Sequence, residues 1–418
     1  MISPEPPTPR RAWLTWRELH PVAQRLIQTR ALRSVAQGAL TVDFVLYLKA
    51  LGWSAPAIGL LLAATSGVSA ALSLAGGIAT DRFGRRSFIL GYQVATFALT
   101  VCVLVSPARW VLVGAAVLLG YGRGANGSAG PFGPAEQAWL AHHSPAADRG
   151  RIFSLNSAAA FVGMGIGALL GAGVPLVQGW LPGTEAYRAL FVVTAIVAVA
   201  NYFQLAAVRE ERDHPAPAAP PQGEGEVRRR ENRAMALLVG VNAVNSLGIG
   251  LFGPLLPYWF ALRYGAGPGA IGPVFAVGFL LAGVSSLVTG ELTARVGLVK
   301  SVVVVRLIGV LGLFALPLMP TFAWAAALYT VRSVLNRGSS GARQAFSVSL
   351  VRNERRGLAG SLNNLSFRLP GAIGPAIGGW LMGLGDLDLP FYLAAVLQLG
   401  YVVLFGTIFR GATIAEEG

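Results

Sequence analysis

Long apolar runs, separated by short basic segments, set the pattern along this chain. Twelve runs qualify, at roughly 31–52, 57–79, 87–106, 110–139, 152–175, 189–207, 235–259, 271–293, 300–318, 323–349, 358–383 and 391–409. Each holds about 20 predominantly apolar residues, the length a helix needs to cross a hydrocarbon core. Backbone groups in lipid must bond within their own segment, so these runs predict helices. The fourth and tenth are long and interrupted by glycine. The expectation is an all-α membrane protein with twelve transmembrane helices.

Composition strengthens this reading. The 418 residues are 54% hydrophobic and 12% charged, against about 25% charged in an ordinary soluble domain. The 53 glycines fit helices that pack through small residues in lipid. A net charge of +14, from 31 Arg and two Lys against 19 acids, could mark a nucleic-acid partner. The basic residues lie between apolar runs, so the expectation is membrane topology and no nucleic acid. Cys102 is the one cysteine, which excludes an intrachain disulfide and a cysteine metal site. The Pro- and Arg-rich start is not followed by a short apolar stretch with a cleavage site. No cleavable signal peptide is therefore expected, and the first helix serves for insertion.

Orientation follows from the positive-inside bias. With the N-terminus inside, the inner segments hold 22 Lys and Arg, and the outer loops hold Arg109, Arg188 and Arg263. Arg33 and Lys49 fall at opposite ends of the first helix and cancel. Both termini are thus expected in the cytoplasm of a cell with an inner membrane. Trp53, Trp110, Trp180, Trp259, Trp324 and Trp380 fall at outer helix ends, and Trp13, Trp16 and Trp139 at inner ends, as an interfacial belt would place them.

Residues 208–234, with Pro215, Pro217, Pro220, Pro221 and a run of charge, read as a flexible cytoplasmic linker. It divides a six-helix bundle at 31–207 from a second at 235–409. Residues 1–30 and 410–418 are cytoplasmic ends. Within the first of these, Trp13, Trp16, Leu19, Leu26 and Ile27 alternate with Arg and form either a short interfacial helix or an ordered tail. The halves also repeat. Asp81-Arg82-Phe83-Gly84 is matched by Ala294-Arg295-Val296-Gly297, 213 residues on. Arg123-Gly124-Ala125-Asn126-Gly127 is matched by Arg337-Gly338-Ser339-Ser340-Gly341 at 214, and Ser154-Leu155-Asn156 by Ser361-Leu362-Asn363 at 207. Matches in the same order predict two pseudo-symmetric six-helix bundles related by an axis along the membrane normal.

Gly77-x-x-x-Asp81-Arg82-x-Gly84-Arg85-Arg86 resembles the signature loop between helices 2 and 3 of the major facilitator superfamily. Arg123-x-x-Asn126-Gly127 resembles its helix 4 motif, with Asn126 in place of the usual Gln. Gly374-Pro375-x-x-Gly378-Gly379 resembles the Gly-Pro motif of proton-coupled exporters, although there the motif lies in helix 5. Helix 5 here carries Gly163-x-x-x-Gly167-Ala168-x-x-Gly171-Ala172, with Ala for Pro and for the last Gly. The resemblance covers residues 31–409 and is nearest the twelve-helix drug and metabolite:proton antiporters. It implies the major facilitator fold, alternating access and no cofactor. It also implies a conformational gate at Gly77, Asp81, Arg82, Gly84 and Arg85 that favours the outward-open state. Physically, Asp81 is an anion at a helix end, able to cap or to pair with Arg. Glu136 is the expected partner of Arg85, while Arg86 serves topology.

Ionisable groups at bilayer depth are functional candidates. Asp43 is the one acid placed mid-membrane, and Tyr47 shares its helical face. It is either a proton carrier or half of a permanent ion pair. Arg123, Arg337, Gln344, Asn364, Arg368, Asn242 and Asn245, with Asn126 and Tyr47, are candidates to line a central cavity. Interhelical bonding is the alternative for the neutral ones. Arg306 and Arg343 are expected to snorkel. With Arg332 included, this cavity is electropositive, which favours anionic or neutral over cationic substrates. Val299-Lys300-Ser301 lacks the glycines of a phosphate loop, and His142-His143 lacks metal-ligand spacing, so an enzyme is not expected. The expected partners are a small-molecule substrate, protons and lipid, with the protein a monomer. The leading expectation is proton-coupled export of a small organic molecule. The alternatives are an importer or facilitator of an organic anion, and a non-transporting sensor or lipid-handling protein.

Overall fold

The computed structural model describes residues 16–106, 108–122, 130, 133–145, 148–208, 225–296, 298–338 and 356–409. Among them the chain is helical throughout. The first half holds α1 (Pro21–Ala50), α2 (Ala55–Phe83), α3 (Arg85–Val105), α4 (Arg109–Leu119), α5 (Gly133–His142), α6 (Arg149–Ala172), α7 (Val174–Val177) and α8 (Glu185–Ala206). The second holds α9 (Gly225–Phe252), α10 (Leu256–Tyr264), α11 (Pro268–Val296), α12 (Leu298–Ala315), α13 (Phe322–Gly338), α14 (Arg356–Gly383) and α15 (Leu389–Ile408). Short connections force neighbouring helices antiparallel. The end of the bundle where α8 stops and α9 begins is called the base here, and the opposite end the apex. Gly84 alone joins α2 to α3, at φ +86°, a backbone region open to glycine at no steric cost.

The apolar runs thus become helices, with informative differences. Eight described segments are long and apolar enough to cross a membrane, and α4 is a shorter apolar helix. The helices that miss this measure include α1 and α14, which carry charged and polar side chains. α1 begins at Pro21, not near residue 31, and Trp16–Glu18 precedes it as a 3₁₀ turn. Leu19, Ala23, Leu26 and Ile27 are buried against Ile89, Trp139, Leu140, Ile152, Leu205 and Val208. From Trp16 onward, therefore, the start of the chain is neither an interfacial helix nor a tail. Its apolar side chains cover the base of the first half.

The fourth and seventh runs are broken. α4 stops at Gly120 in the left-handed region, and α5 resumes at Gly133. Between α9 and α10, Pro254 has no N–H to donate. There the chain tightens to bonds from Leu255 N to Phe252 O and from Leu256 N to Gly253 O. The tryptophan belt is also partial. Trp110, Trp180, Trp324 and Trp380 are exposed, but Trp139 and Trp259 are fully buried, so those two are core residues and not anchors.

Two kinds of helix seam organise the bundle. Within each half, α1 packs on α6 and α9 on α14. Between halves, α6 packs on α11 and α2 on α14. The second kind closes the apex. The backbone of α14 at Pro375 and Gly379 lies directly on Gly59 of α2, and Gly383 lies on Pro56. Opposite, Gly272 of α11 lies on Ala168 and Ala172 of α6.

Candidate functional site

The seam between α1 and α6 is a glycine stripe. Gly163, Gly167 and Gly171 recur every four residues and so share one face of α6. A Cβ on Gly163 would strike the Ala31 carbonyl, and one on Gly167 the Val35 carbonyl. Gly38 of α1 reciprocates by lying on the Met164 backbone. Such crossings bring Cα–H groups onto carbonyl oxygens, a weak but recurrent contact at helix interfaces. Asp43 is the next step of the α1 face after Ala31, Val35 and Ala39. Its Oδ2 fills the space a side chain at Gly171 would need. Asp43 is 1% exposed, and neither carboxyl oxygen has a hydrogen-bond partner. No described cation pairs with it, so of the two sequence expectations the permanent ion pair is absent among the described residues.

The same seam exists in the second half. Gly374 lies on Gly250 of α9, and a Cβ on Gly378 would strike the Leu251 carbonyl and stand 3.2 Å from the Leu255 side chain. Gly374, Pro375, Gly378 and Gly379 stand 207 residues after Gly167, Ala168, Gly171 and Ala172, the offset of the Ser-Leu-Asn repeat. Gly374 and Gly378 therefore face α9 within their half, while Pro375 and Gly379 face α2 across the halves. Leu255 occupies the seam where the first half has Asp43, so the carboxyl has no counterpart across the pseudo-symmetry.

Tyr47 packs within the first half, with ring centroids 5.7 Å from both Tyr187 and Phe191. Tyr121 joins the cluster at 5.4 Å from Phe191 and 5.8 Å from Phe44, and shares a 2.6 Å hydrogen bond with Thr100. Glu136, on α5, accepts from Arg33 at 2.5 Å and is 3% exposed. This corrects the expected Arg85–Glu136 pair, because α1 runs past α5 and presents Arg33 there. The reading of Arg33 as a topological charge changes with it.

The second half concentrates buried cations. Arg306 is 3% exposed, donates to Asn245 at 3.3 Å and lies 5.6 Å from the Tyr401 ring. It does not snorkel. Arg332 donates to the Gly309 carbonyl and to Gln398, each at 3.0 Å, and sits 4.8 Å over Phe252. Arg337 sits 4.6 Å over Phe279 and donates to Tyr329 at 3.4 Å. None of the three meets a described carboxylate. Carbonyls, amides and aromatic faces carry them instead, the last through cation–π attraction. Ser246 donates to the Phe367 carbonyl, tying α9 to α14, and Asn242 is buried on α9. Arg368 donates to Ser73 at 2.9 Å, from one half to the other.

The expected residues are thus spread over two regions. Asp43 and Tyr47 belong to the first half, and Asn242, Asn245, Arg306, Arg332 and Arg337 to the second. Arg123, Asn126 and Gln344 lie outside the described residues, as do the side chains of Gly77, Asp81, Arg82 and Asn364. Gly84 and Arg85 form the α2–α3 turn and the start of α3. Sequence reasoning missed a cavity of about 60 Å³ inside the first half, bounded by α1, α3, α8 and the end of α4. Its signal was present as lone amides, Gln37, Gln93 and Asn201, within otherwise apolar runs.

The family model for the Major Facilitator Superfamily matches residues 29–241 and 238–416. An uncharacterised MFS-type transporter of Bacillus subtilis is 26% identical over 208 residues, 50% of this chain and 47% of that protein. A multidrug resistance protein B homolog of Mycobacterium tuberculosis is 30% identical over 184 residues, 44% of this chain and 30% of that one. The chain thus spans less than half the length of these curated relatives. Among solved structures, a bacterial homolog to the human lysosomal transporter Spinster, inward-facing and occupied, superposes with TM-score 0.71 at 16% identity, covering 94% of this chain and 97% of that one. An auto-inhibited POT family peptide transporter gives 0.72 at 13%, covering 96% and 99%. At these identities the structural likeness speaks for the fold alone. Both halves of the chain fall within the matched family residues, the glycine motifs of the two seams repeat at one offset, and the whole fold superposes on transporters of this architecture: the chain is a multi-pass membrane protein that belongs to the Major Facilitator Superfamily.

Proposed function

We propose that the protein is a secondary active transporter that exports a small organic molecule, anionic or neutral and amphipathic, in exchange for protons. Asp43 carries the proton. The observation behind this is a buried carboxyl with no cation or hydrogen-bond donor among the described residues, in a seam whose partner half has Leu255. A buried charge without compensation is expensive, so such a carboxyl is suited to change its protonation when the seam changes its access. The relationship to multidrug resistance homologs supports export. With the N-terminus inside, the closed apex is the outer face, and the next step of the cycle opens it. Substrate meets the second half, where Arg337 offers an unpartnered Nη1.

A second reading is an importer or facilitator of an organic anion. Arg306, Arg332 and Arg337, without carboxylates, favour it. Proteoliposomes separate the two. With an imposed pH gradient and a pH dye inside, export predicts substrate-dependent proton movement that Asp43→Asn abolishes while binding persists. Full proton coupling in Asp43→Asn would sink the exchange mechanism. Substrate flux indifferent to the gradient would support the facilitator.

A further inference from the structure

The first half contains a cavity that the transport reading does not use. It measures about 60 Å³ and lies between Arg33, Ala36, Gln37 and Leu40 of α1, the α3 side chains of Tyr92, Gln93 and Thr96, and α8 from Thr194 to Asn201. The end of α4 and the turn after it line another side. None of the expected central-cavity residues borders it.

Its polar groups fall into two classes. Tyr92 donates to the Leu119 carbonyl at 3.2 Å, Thr96 to Tyr92 O at 2.8 Å, and Thr194 to Leu190 O at 3.0 Å. These hydroxyls are satisfied inside the protein. The amides are not. Asn201 is 0% exposed, and both its Oδ1 and Nδ2 lack a partner; Gln93 is 3% exposed with Nε2 unpartnered, and Gln37 Nε2 is also unpartnered. Leaving a buried polar group unsatisfied costs about 1–3 kcal/mol, and native proteins keep few such groups without a role. Three carboxamides on three helices around one void form a built site. Because both ends of Asn201 are free, reversing its amide would not change this.

Charge selects the occupant. The one ionised side chain on the wall is Arg33, and Glu136 already holds it at 2.5 Å. The cavity is therefore close to neutral, with unpartnered amide N–H groups on Gln37, Gln93 and Asn201, an unpartnered carbonyl on Asn201, and apolar walls from Leu40, Leu119, Val197 and Ala198. Amides are best matched by amides. We infer that this cavity binds a small neutral molecule bearing a carboxamide or lactam on an apolar body, at a site separate from the proposed transport route.

Benzamide is the probe, with benzoate and benzylamine as its anionic and cationic counterparts. Binding to the purified full-length chain is measured by calorimetry in detergent. The expected result is saturable benzamide binding, at least tenfold tighter than either counterpart. It weakens at least tenfold in Asn201→Leu and in Gln93→Met, both of which remove unsatisfied groups and should stay monodisperse. Thr194→Val serves if either variant does not fold, with a milder loss because its hydroxyl is already bonded. Asp43→Asn leaves this binding unchanged, so failure here and failure of the proton reading are distinguishable. No benzamide binding, binding that ignores all three cavity variants, or tighter benzoate binding overturns the proposal. In the first case, water alone satisfies the amides.

Discussion

At the scale of single residues, Asp43 of the first half and the buried guanidiniums of the second stay apart. Among the described residues, Asp43 meets no cation, and Arg306, Arg332 and Arg337 meet no carboxylate. Had they met, neutralisation would have produced a permanent lock, because breaking a buried pair costs several kcal/mol. Arg332 and Gln398 show how the cations are tolerated. The guanidinium satisfies a carbonyl, an amide and an aromatic face at once. Removing either partner exposes the other: Arg332→Leu and Gln398→Leu are each expected to destabilise by about 1–3 kcal/mol. The double variant should cost clearly less than the sum, as contacting residues do. Equilibrium unfolding of the purified variants checks this, and simple additivity would show that the two do not interact. Asp43→Asn, by contrast, removes a costly charge, so the thermal midpoint in detergent should not fall.

At the scale of elements, glycine position decides which helices pair. Gly167 and Gly114 are both helical glycines, yet they have opposite surroundings. Gly167 lies on Val35 and Ala39, while nothing stands within 4 Å of the space a Cβ would take at Gly114. Gly167→Val should therefore force α1 and α6 apart, with overpacking costs of about 1–3 kcal/mol and loss of monodisperse protein. Gly114→Val should be tolerated. Size-exclusion profiles of the two variants compare them directly, and equal behaviour would count against the seam. Pro375 adds a second element-scale feature. A proline inside α14 cannot donate to the Gly371 carbonyl, and Gly250 of α9 lies on that freed oxygen.

At the scale of the whole molecule, the apex is held by close backbone contact between halves, and among the described residues not by ion pairs between them. Arg188–Glu185 at 2.6 Å and Arg263–Asp388 at 3.7 Å each stay within one half. Contacts of this kind part as rigid bodies without leaving a charge unpaired, as alternating access requires. Spin labels at Ser54→Cys and Leu384→Cys, in a Cys102→Ser background, report on this. The closed state described here predicts a short distance. A second, longer population should appear as pH or substrate is varied. A single short distance under every condition would leave alternating access without support.

How much of this was legible in the chain depends on the range of the interaction. The spans, the two halves and their internal repeat could be read directly, because hydropathy and glycine spacing act within a segment or between similar segments. Asp43 could be singled out because an acid in an apolar run is costly wherever the helix faces. Other features required the folded chain. Arg33 meets Glu136 across 103 positions, and Arg306 turns inward to Asn245, because helix rotation is set by the partner's surface and not by the helix's own pattern. The break of α4 and the start of α1 at Pro21 also depended on what each segment covers. So did the gathering of three lone amides around one cavity, since each amide alone reads as an ordinary interhelical bond. The sequence by itself determined a membrane-spanning, twofold-repeated helical bundle, since lipid constrains every segment independently. Only the tertiary structure decided which polar groups find partners, since that depends on which faces meet.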